Sequence, residues 1–509
     1  TSADDLTITF NGTSYTITDA ALALTTNIAG AVRNSFTSIT VAATLFSGGI
    51  IVDALAGDDS LTLDLSDTAF ADTVTFTAGT GTNDLTLSGG TFADVAFDFS
   101  PTNPTIDVTG NAQFDFSDVA SVDVDSTVTN YTFDYTTGAD TITVSDAAGG
   151  GETQLALTAG ETVVFNNPSG LLTINGGDAG DTINVQGVDA GFAADLTVSG
   201  QGGSDTVNFQ TAGTSIGAGD LTVTAENINV VSTGSASAAT VTFNGATFDI
   251  DADVTGTAAT GTVVDFNSTG TIDVAAGAQV QATGGGNITL DATTSITLNA
   301  GTAAGSETVK ASGGGGAGTI DVTSATIVLD HHAIGGSTGT VSVNASGGSI
   351  TVANATGTSE INTGGALALT ANTVGSSANS LEVDGATSLS ISDTGAGDIN
   401  ITEITASTIT STSITVANAT SGNIDIAYNG GDVVNINNGH VFDTTTLDHN
   451  FSYTATLGSI TDANTVTLTG TTGSFTTSEN NQTITLDQLA STAALSFTTN
   501  GTGANETIN

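Results

Sequence analysis

Short pieces that alternate one apolar and one small polar residue fill the stretch from Thr271 to Ala355. They read TIDV, NITL, SITL, TIDV, TVSV and SITV, and most are followed within two residues by Gly, Ala or Asn. Alternation with a period of two is typical of β-strands that bury one face. So many short strands in succession indicate a solenoid, in which each coil of the chain covers the coil before it.

Two repeated segments give an estimate of the coil length. The octapeptide SITVANAT occurs at Ser349–Thr356 and again at Ser413–Thr420, an offset of 64 residues. The pentapeptide GTIDV begins at Gly270 and again at Gly318, an offset of 48 residues. These offsets predict three and two coils of roughly 21–24 residues, a reasonable circuit for a β-helix. The sequence therefore predicts an all-β fold, an elongated parallel β-helix (β-solenoid).

The chain is almost free of basic residues. Of its 509 residues, two are Lys or Arg (Arg33 and Lys310) and 52 are Asp or Glu, which gives a formal net charge of −50. Nucleic acid and anionic lipid surfaces are poor partners for such a chain, because both are bound through clustered Lys or Arg. No apolar run approaches the ~20 residues of a membrane-spanning helix. We therefore expect no nucleic acid and no membrane insertion, and we expect cations as partners.

The first 45 residues differ from the rest. Asn11-Gly12 between LTITF and SYTIT predicts a hairpin, because Asn-Gly suits the positive φ angles of a type I′ turn. Asp19–Phe36 is the only stretch with helical spacing, and a strand follows it. Its apolar residues at that spacing are Leu22, Ile28, Val32 and Phe36. We predict a small N-terminal hairpin–helix–strand unit over residues 1–45 that caps the first coil or docks a neighbour.

The Phe content divides the remainder of the chain. Residues 46–266 contain Phe regularly, residues 267–441 contain none, and residues 442–509 contain it again. Aromatic rings need a wider interior than aliphatic side chains do. We expect a wider β-helical region over 46–266, a regular narrow β-helix over 267–441, and a C-terminal β region with an assembly end over 442–509.

One turn type recurs along the chain. Gly176–Asn184 reads GGDAGDTIN and Gly200–Asn208 reads GQGGSDTVN, with weaker copies elsewhere. In such a turn, Gly lets carbonyl groups point inward and the following Asp supplies a carboxylate oxygen to a hard cation. The turns resemble the calcium-binding nonapeptide of RTX-type repeats, although Ala179 and Gln201 each replace a glycine. The resemblance implies structural calcium at Asp178, Asp181, Asp205, Asp59, Asp140 and Glu506.

The spacing of these turns departs from the RTX pattern, in which consecutive nonapeptides face one another. Asp181 and Asp205 are 24 residues apart, which is one coil. We therefore expect the two residues to stack in a ladder and to share an ion. The alternative is a tight Gly-Asp turn in which the carboxylate accepts a hydrogen bond from its own backbone.

An acid–base pair is a further possibility for the turns. Asp58-Asp59 follow Gly57, and Gly-Asp-Asp also occurs in β-helical pectin hydrolases, where paired carboxylates act as acid and base. The other features of that pattern are missing, because Gly439-His440 is not followed by Gly and no Arg–Lys pair exists. A chain with this net charge also repels polyuronate. We expect no enzymatic activity.

The regular stretch resembles the β-helical rods of filamentous-haemagglutinin-like adhesins, and the Gly-Asp turns resemble those of giant exported bacterial repeat proteins. The resemblance implies a secreted, extracellular or cell-surface protein, and the start at Thr1 without Met suggests processing or a longer parent chain. Three functions stay open: a structural protein that self-assembles into a filament or coat, a monomeric adhesin shaft, and a β-helical polysaccharide-active enzyme. No aromatic-rich loop or inserted domain of an adhesin is evident, which favours the structural function.

Both ends of the chain carry acidic turns beside a strand. GTGANETIN at Gly501–Asn509 matches GGDAGDTIN at five of nine positions, with Glu506 in the place of Asp181. Asp4 and Asp5 precede the first strand. An open β-helix end presents an unpaired strand edge, so we predict a head-to-tail homopolymer in which divalent cations bridge Glu506 to Asp4 or Asp5. Such a heterologous contact generates an open filament.

Overall fold

The computed structural model confirms the predicted fold class, an all-β parallel β-solenoid. It describes residues 3–20, 22–99, 103–135, 138–158, 160–211, 214–302, 306–312, 318–336, 338–354, 358–394, 397–403, 411–416, 422–428, 434–436, 441–443, 449–455, 459–462, 466–469, 472–487, 489–503 and 506–508. The helical content of these residues is one 3₁₀ turn at Ala43–Leu45. The chain divides into two compact units, Thr1–Ala239 and Thr240–Asn509.

The first unit contains 22 strands. These are β1 (Asp5–Phe10), β2 (Ser14–Asp19), β3 (Val32–Ser35), β4 (Ser38–Ala42), β5 (Ile50–Asp53), β6 (Ser60–Asp64), β7 (Val74–Thr77), β8 (Asp84–Ser88), β9 (Thr91–Asp98), β10 (Thr105–Val108), β11 (Phe114–Ser117), β12 (Ser121–Val124), β13 (Thr127–Asp134), β14 (Thr141–Asp146), β15 (Glu152–Leu157), β16 (Thr162–Asn166), β17 (Leu171–Gly177), β18 (Thr182–Val185), β19 (Asp195–Gln201), β20 (Thr206–Phe209), β21 (Leu221–Val230) and β22 (Ala236–Ala238).

Strands of successive coils stack in parallel columns in this unit. One column runs β1–β6–β8–β12–β16, a second β5–β7–β11, a third β9–β13–β17–β19–β21, and a fourth β14–β18–β20–β21. Alternate residues point into the interior, where Phe97, Phe133 and Phe165 stack with ring centroids 4.8 and 5.2 Å apart. The alternation read from the sequence is therefore the in–out pattern of the coils.

Two coils of the first unit are lengthened by an added antiparallel strand. β10 pairs antiparallel with β9 and β11, and β15 pairs antiparallel with β14 and β16. The spacing from Leu61 to its stacked partner Leu85 is 24 residues, whereas Leu85 to Val122 takes 37 and Val122 to Val163 takes 41. A fixed coil length of 21–24 residues does not hold here, because these strands are inserted into the circuit.

The predicted hairpin at the start is confirmed, and the predicted helix over Asp19–Phe36 is wrong. β1 and β2 pair antiparallel, but only Gly12 of the Asn11-Gly12 turn has a positive φ, so the turn is not type I′. Beyond β2 the chain forms turns and then β3, which pairs antiparallel with β4. The apolar residues at helical spacing are too few to bury a stripe, and Ile28, Val32 and Phe36 are exposed. A helix of this length gains most of its stability from such a buried face.

The second unit contains 26 strands. These are β23 (Val241–Ile250), β24 (Val254–Gly256), β25 (Thr262–Val274), β26 (Val280–Ala282), β27 (Asn287–Leu298), β28 (Val309–Ala311), β29 (Ile320–Leu329), β30 (Ile334–Gly336), β31 (Val341–Val352), β32 (Ile361–Thr363), β33 (Ala366–Val374), β34 (Leu381–Asp384), β35 (Ser388–Asp393), β36 (Ile399–Glu403), β37 (Ser411–Val416), β38 (Gly422–Tyr428), β39 (Val434–Ile436), β40 (Val441–Asp443), β41 (His449–Ala455), β42 (Ile460–Asp462), β43 (Val466–Thr469), β44 (Thr472–Asn480), β45 (Ile484–Leu486), β46 (Leu489–Ser491), β47 (Ala494–Asn500) and β48 (Glu506–Ile508).

Each early coil of this unit consists of one long strand and one short strand. The long strands β23, β25, β27, β29, β31 and β33 stack in parallel with a register shift near the middle of most pairs, so each forms two faces of the coil. The short strands β24, β26, β28, β30, β32 and β34 stack as a third face. Phe243 and Phe266, whose rings stack at 4.8 Å, lie in the same kind of coil as the Phe-free residues that follow.

The two repeated segments do not mark whole numbers of coils. Ile272, in the first GTIDV, stacks with Ile296 on the second half of the long strands. Ile320, in the second copy, stacks through Ile288 on Val264, on the first half of these strands. The octapeptide is displaced in the same way: Ser349 lies in the second half of β31, whereas Ser413 stacks through β35 and β33 on the first half. The coil lengths inferred from these offsets are therefore wrong.

Candidate functional site: ladders of buried carboxyl groups

The Gly-Asp turns of the first unit stack into a ladder of carboxyl groups. The backbone N–H of Asp140 donates to Oδ1 of Asp181 (2.7 Å), the N–H of Asp181 donates to Oδ1 of Asp205 (2.8 Å), and the N–H of Asp205 donates to Oε2 of Glu226 (2.9 Å). Each residue directly precedes a strand, apart from Glu226, which lies within β21. Each side chain thus joins its own coil to the coil before it. We name these four residues the long ladder.

A shorter ladder of the same kind lies near the start of the chain. The N–H of Asp4 donates to Oδ1 of Asp59 (2.8 Å), and the N–H of Asp59 donates to Oδ1 of Asn83 (3.0 Å). The amide Nδ2 of Asn83 donates in turn to the carbonyl groups of Gly79 (3.2 Å) and Asp118 (3.0 Å). A neutral amide therefore occupies a ladder position with both of its polar atoms bonded.

Glycines leave the space that the long ladder occupies. A Cβ atom on Gly200 would lie 2.4 Å from Cβ of Asp205, and one on Gly176 would lie 2.7 Å from Oδ2 of Asp181. Neither distance is possible for a real side chain, so both positions require Gly. Gln201, which replaces a glycine of the RTX pattern, adopts a φ of 70°, a conformation that glycine adopts more easily.

One oxygen of each central carboxyl group has no hydrogen-bond partner in the described structure. Asp59, Asp181 and Asp205 are buried, with 1–2% of their surface exposed, and their Oδ2 atoms are unbonded. Burial raises the pKa of Asp181 and Asp205; the N–H donated to each opposes this rise, and the adjacent acidic residue adds to it. Burial also raises the pKa of Asp140. The long ladder therefore favours protonated carboxyl groups more than an exposed Asp does.

A second pair of buried carboxyl groups lies in the second unit. The N–H of Glu382 donates to Oε2 of Glu360 (2.6 Å), and the N–H of Glu360 donates to the carbonyl of Glu382 (3.0 Å). Burial raises the pKa of Glu360 to about 8; the hydrogen bond from Glu382 opposes this rise, and the charges on Glu382 and Asp330 add to it. His331 contacts Oδ1 of Asp330 and lies in the turn after β29. Glu360 is therefore mostly neutral at pH 7.

The structure brings together some of the six predicted site residues. Asp140, Asp181 and Asp205 belong to the long ladder, and Asp59 belongs to the short one. Asp178 is exposed on the turn before Asp181, and Glu506 begins β48, which pairs with β45. The ladder predicted for Asp181 and Asp205 is confirmed, although the carboxylates bond the neighbouring coil instead of their own turn.

Sequence reasoning missed Asn83, Glu226, Glu360 and Glu382. Asn83 follows a Gly-x-Gly turn and directly precedes β8, so its position resembles those of Asp181 and Asp205. A polar residue just before an apolar strand, one coil from an Asp in the same setting, is the signal that finds it. Glu226 and Glu360 lack the glycines, and only the strand register identifies them.

The ladders do not present the acid–base pair of a hydrolase. Asp59 is buried with Oδ1 bonded to the Asp4 backbone, whereas Oδ1 of Asp58 accepts the N–H of Thr82 (2.9 Å). A general acid and base must both reach one substrate bond. A buried Asp59 cannot do so in this structure, which favours a structural role for the pair.

Calcium at these residues stays a prediction. Within the described part of the chain, no three His, Cys, Asp or Glu side chains are grouped so that they would hold a metal ion. The unbonded Oδ2 atoms of Asp181 and Asp205 are the oxygens that an ion would use, and calcium requires six to eight oxygen ligands.

If calcium binds the folded chain, removing it is expected to destabilise the protein. A ligand that binds only the native state stabilises it by about 2.7 kcal/mol at 100 times its dissociation constant. We expect the melting temperature in excess chelator to fall below that in calcium at matched ionic strength. Magnesium at the same concentration is the control. An unchanged melt rules out structural calcium.

No protein-family model matches this chain, and the searches found neither a curated protein nor a solved structure significantly similar to it. Among the residues that the structure describes, no helix is long and apolar enough to cross a membrane.

Proposed function

We propose that this chain is an extracellular structural protein, secreted or held at the cell surface, that joins head to tail into a filament or coat. The observation that carries the proposal is the unfinished last layer of the second unit. Among the described residues, β46, β47 and β48 each pair with a strand on one side only. Their other edges offer free backbone N–H and C=O groups to a further layer.

The side chains of β47 support the same conclusion. Phe475, one coil earlier, is fully buried, whereas Leu495 and Phe497 of β47 are only half-buried. The rings of Phe475 and Phe497 stack with centroids 5.6 Å apart, so Phe497 is covered on one side. A further layer of strands from another chain would bury the other side and add the hydrophobic free energy of that area.

The net charge favours end-to-end contact over side-by-side clumping. At −50, the lateral surfaces of two chains repel each other, and this repulsion weakens as salt screens it. A contact between the last strands of one chain and the first strands of the next uses two different surfaces. Such a contact repeats without closing and forms a filament. A monomeric adhesin shaft has no need of a half-buried apolar strand at its last layer.

Deleting Gly501–Asn509 is expected to leave a folded chain that no longer elongates. β48 pairs only with β45 in the described structure, so its loss removes one end strand without unpairing others. Folding is checked by circular dichroism and assembly by sedimentation velocity and electron microscopy, with the double substitution of exposed Thr502 and Gly503 to Ser as the control that keeps the length. Filaments of unchanged axial repeat from the truncated chain would show that this end is not the contact.

A further inference from the structure

The predicted contact at Asp4 and Asp5 is not available, because the strand that follows is closed on both edges. β1 pairs with β6 on one side and with β2 on the other. The antiparallel order continues through β4 to β3, and β3 pairs only with β4 in the described residues. The open edge on this side of the first unit is therefore β3, and the same part of the chain contains β5, which pairs only with β7.

Exposed apolar side chains are concentrated beside these two edges. The large apolar residues that are exposed in the described structure are Ile28, Val32, Phe36, Leu45, Ile51 and Leu55. Phe36 and Ile51 each expose 74% of their surface. A terminal unit that only shields a solenoid from water needs a polar outer face, and clustered exposed apolar residues mark interaction sites. This unit therefore covers the first coil and also offers a surface of its own.

The only Arg of the chain lies on this surface without an acidic partner. Cζ of Arg33 lies 4.7 Å from the centroid of the Phe36 ring, and Nε donates to the carbonyl of Ser35 (3.0 Å). The three residues line a pocket of about 240 Å³. No carboxylate of the described residues lies within 4 Å of the guanidinium, although the chain has 52 acidic residues. Lys310, in contrast, lies 4.0 Å from Glu307.

The free part of the guanidinium determines what the surface can bind. Nε and one N–H of Nη2 are directed to the carbonyls of Ser35 and Phe36, which fixes the plane of the group over the ring. An Arg has five N–H donors, so the remaining ones are free to bind a carboxylate in bidentate fashion. The apolar side chains around the pocket then suit a partner with both an acidic group and apolar surface.

We propose that this surface, formed by Arg33, Phe36 and the edge of β3 and named the Arg33 surface, binds the last strands of a second copy of this chain. The inference rests on the proposed head-to-tail function and names the receiving surface. The occupant follows from complementarity: the second copy is strongly acidic, and its β47 carries the half-buried Leu495 and Phe497. Strand addition at the edge of β3 would align the backbones, and the Arg33 guanidinium would bind a carboxylate of the incoming chain.

The test is the full-length chain with Arg33→Gln and Phe36→Ser, singly and together. Both side chains are exposed, so the substitutions are expected to leave the melting temperature unchanged. Each single change is expected to lower the association constant measured by sedimentation about tenfold or more. Arg33→Gln is also expected to weaken the salt dependence of association. Lys310→Gln, which removes the other basic residue, is the matched control and is expected to assemble like the wild type.

Mixing provides a second readout. The double variant keeps its last strands, so it can add to a wild-type chain but cannot receive the next copy. A small fraction of it is therefore expected to shorten wild-type filaments.

The outcomes separate the inference from the proposed function. If the wild type forms filaments and the double variant forms them equally well, or if Lys310→Gln weakens assembly as much, the Arg33 surface is not the receiving site and the proposed function stands. If the wild type stays monomeric at every concentration, both the inference and the proposed function are overturned.

Discussion

Replacing Glu360 by Gln is expected to stabilise this protein at pH 8 much more than at pH 5. The pKa of Glu360 is about 8 in the folded chain, against 4.5 for an exposed Glu. Because the folded state holds this proton more tightly, its contribution to stability is complete below about pH 4.5 and is lost as the pH rises to 8. At 1.36 kcal/mol per pKa unit, the loss amounts to at most about 5 kcal/mol.

Gln fits the position because it keeps the required acceptor. The N–H of Glu382 donates to Oε2 of Glu360 (2.6 Å), and an amide oxygen can accept the same bond without a charge. The free energy of unfolding in urea at pH 5 and pH 8 measures the effect, and Asp291→Asn, at an exposed position of the same unit, is the control. A difference between variant and wild type that is equal at the two pH values would contradict the raised pKa.

Asp205→Ala and Asp205→Asn are expected to change stability in opposite directions at pH 7. Ala removes the acceptor of the Asp181 N–H and leaves that buried donor unsatisfied, which costs about 1–3 kcal/mol. Asn keeps an acceptor oxygen and removes a carboxyl group whose ionised form is disfavoured by burial. Asn83 shows that an amide fits a ladder position with both polar atoms bonded.

Urea unfolding of both variants beside the wild type gives the order of stability. We expect Ala below the wild type, and Asn equal to the wild type or above it. Asp178→Asn, at an exposed residue of the same turn type, is expected to change little. An Asn variant as unstable as the Ala variant would show that the charge on Asp205, and not its accepting oxygen, stabilises the ladder.

The fold class could be predicted from the sequence because a strand with one buried face requires only alternation. The same simplicity explains why the repeats were misleading. SITVANAT fits the second half of β31 and also β37, on another face, because both places need the same in–out pattern. The number of residues per coil depends instead on turns and inserted strands such as β10 and β15, which the alternation does not encode.

The site could be predicted in part. The offset of 24 residues between Asp181 and Asp205 placed them one coil apart, and the structure stacks them. Glu226 and Glu360 carry no glycine signature, and their positions depend on strand register, which the sequence does not fix locally. The helix expected over Asp19–Phe36 failed for a related reason, because spacing alone does not show whether a partner surface exists to bury Phe36.

Negative-stain electron microscopy of the wild-type chain over a range of concentrations tests most directly whether these chains join end to end. We predict filaments that lengthen as the concentration rises and that show one constant axial repeat, since every junction would use the same two surfaces. Single particles at all concentrations, or clusters without an axial repeat, would contradict the proposed function.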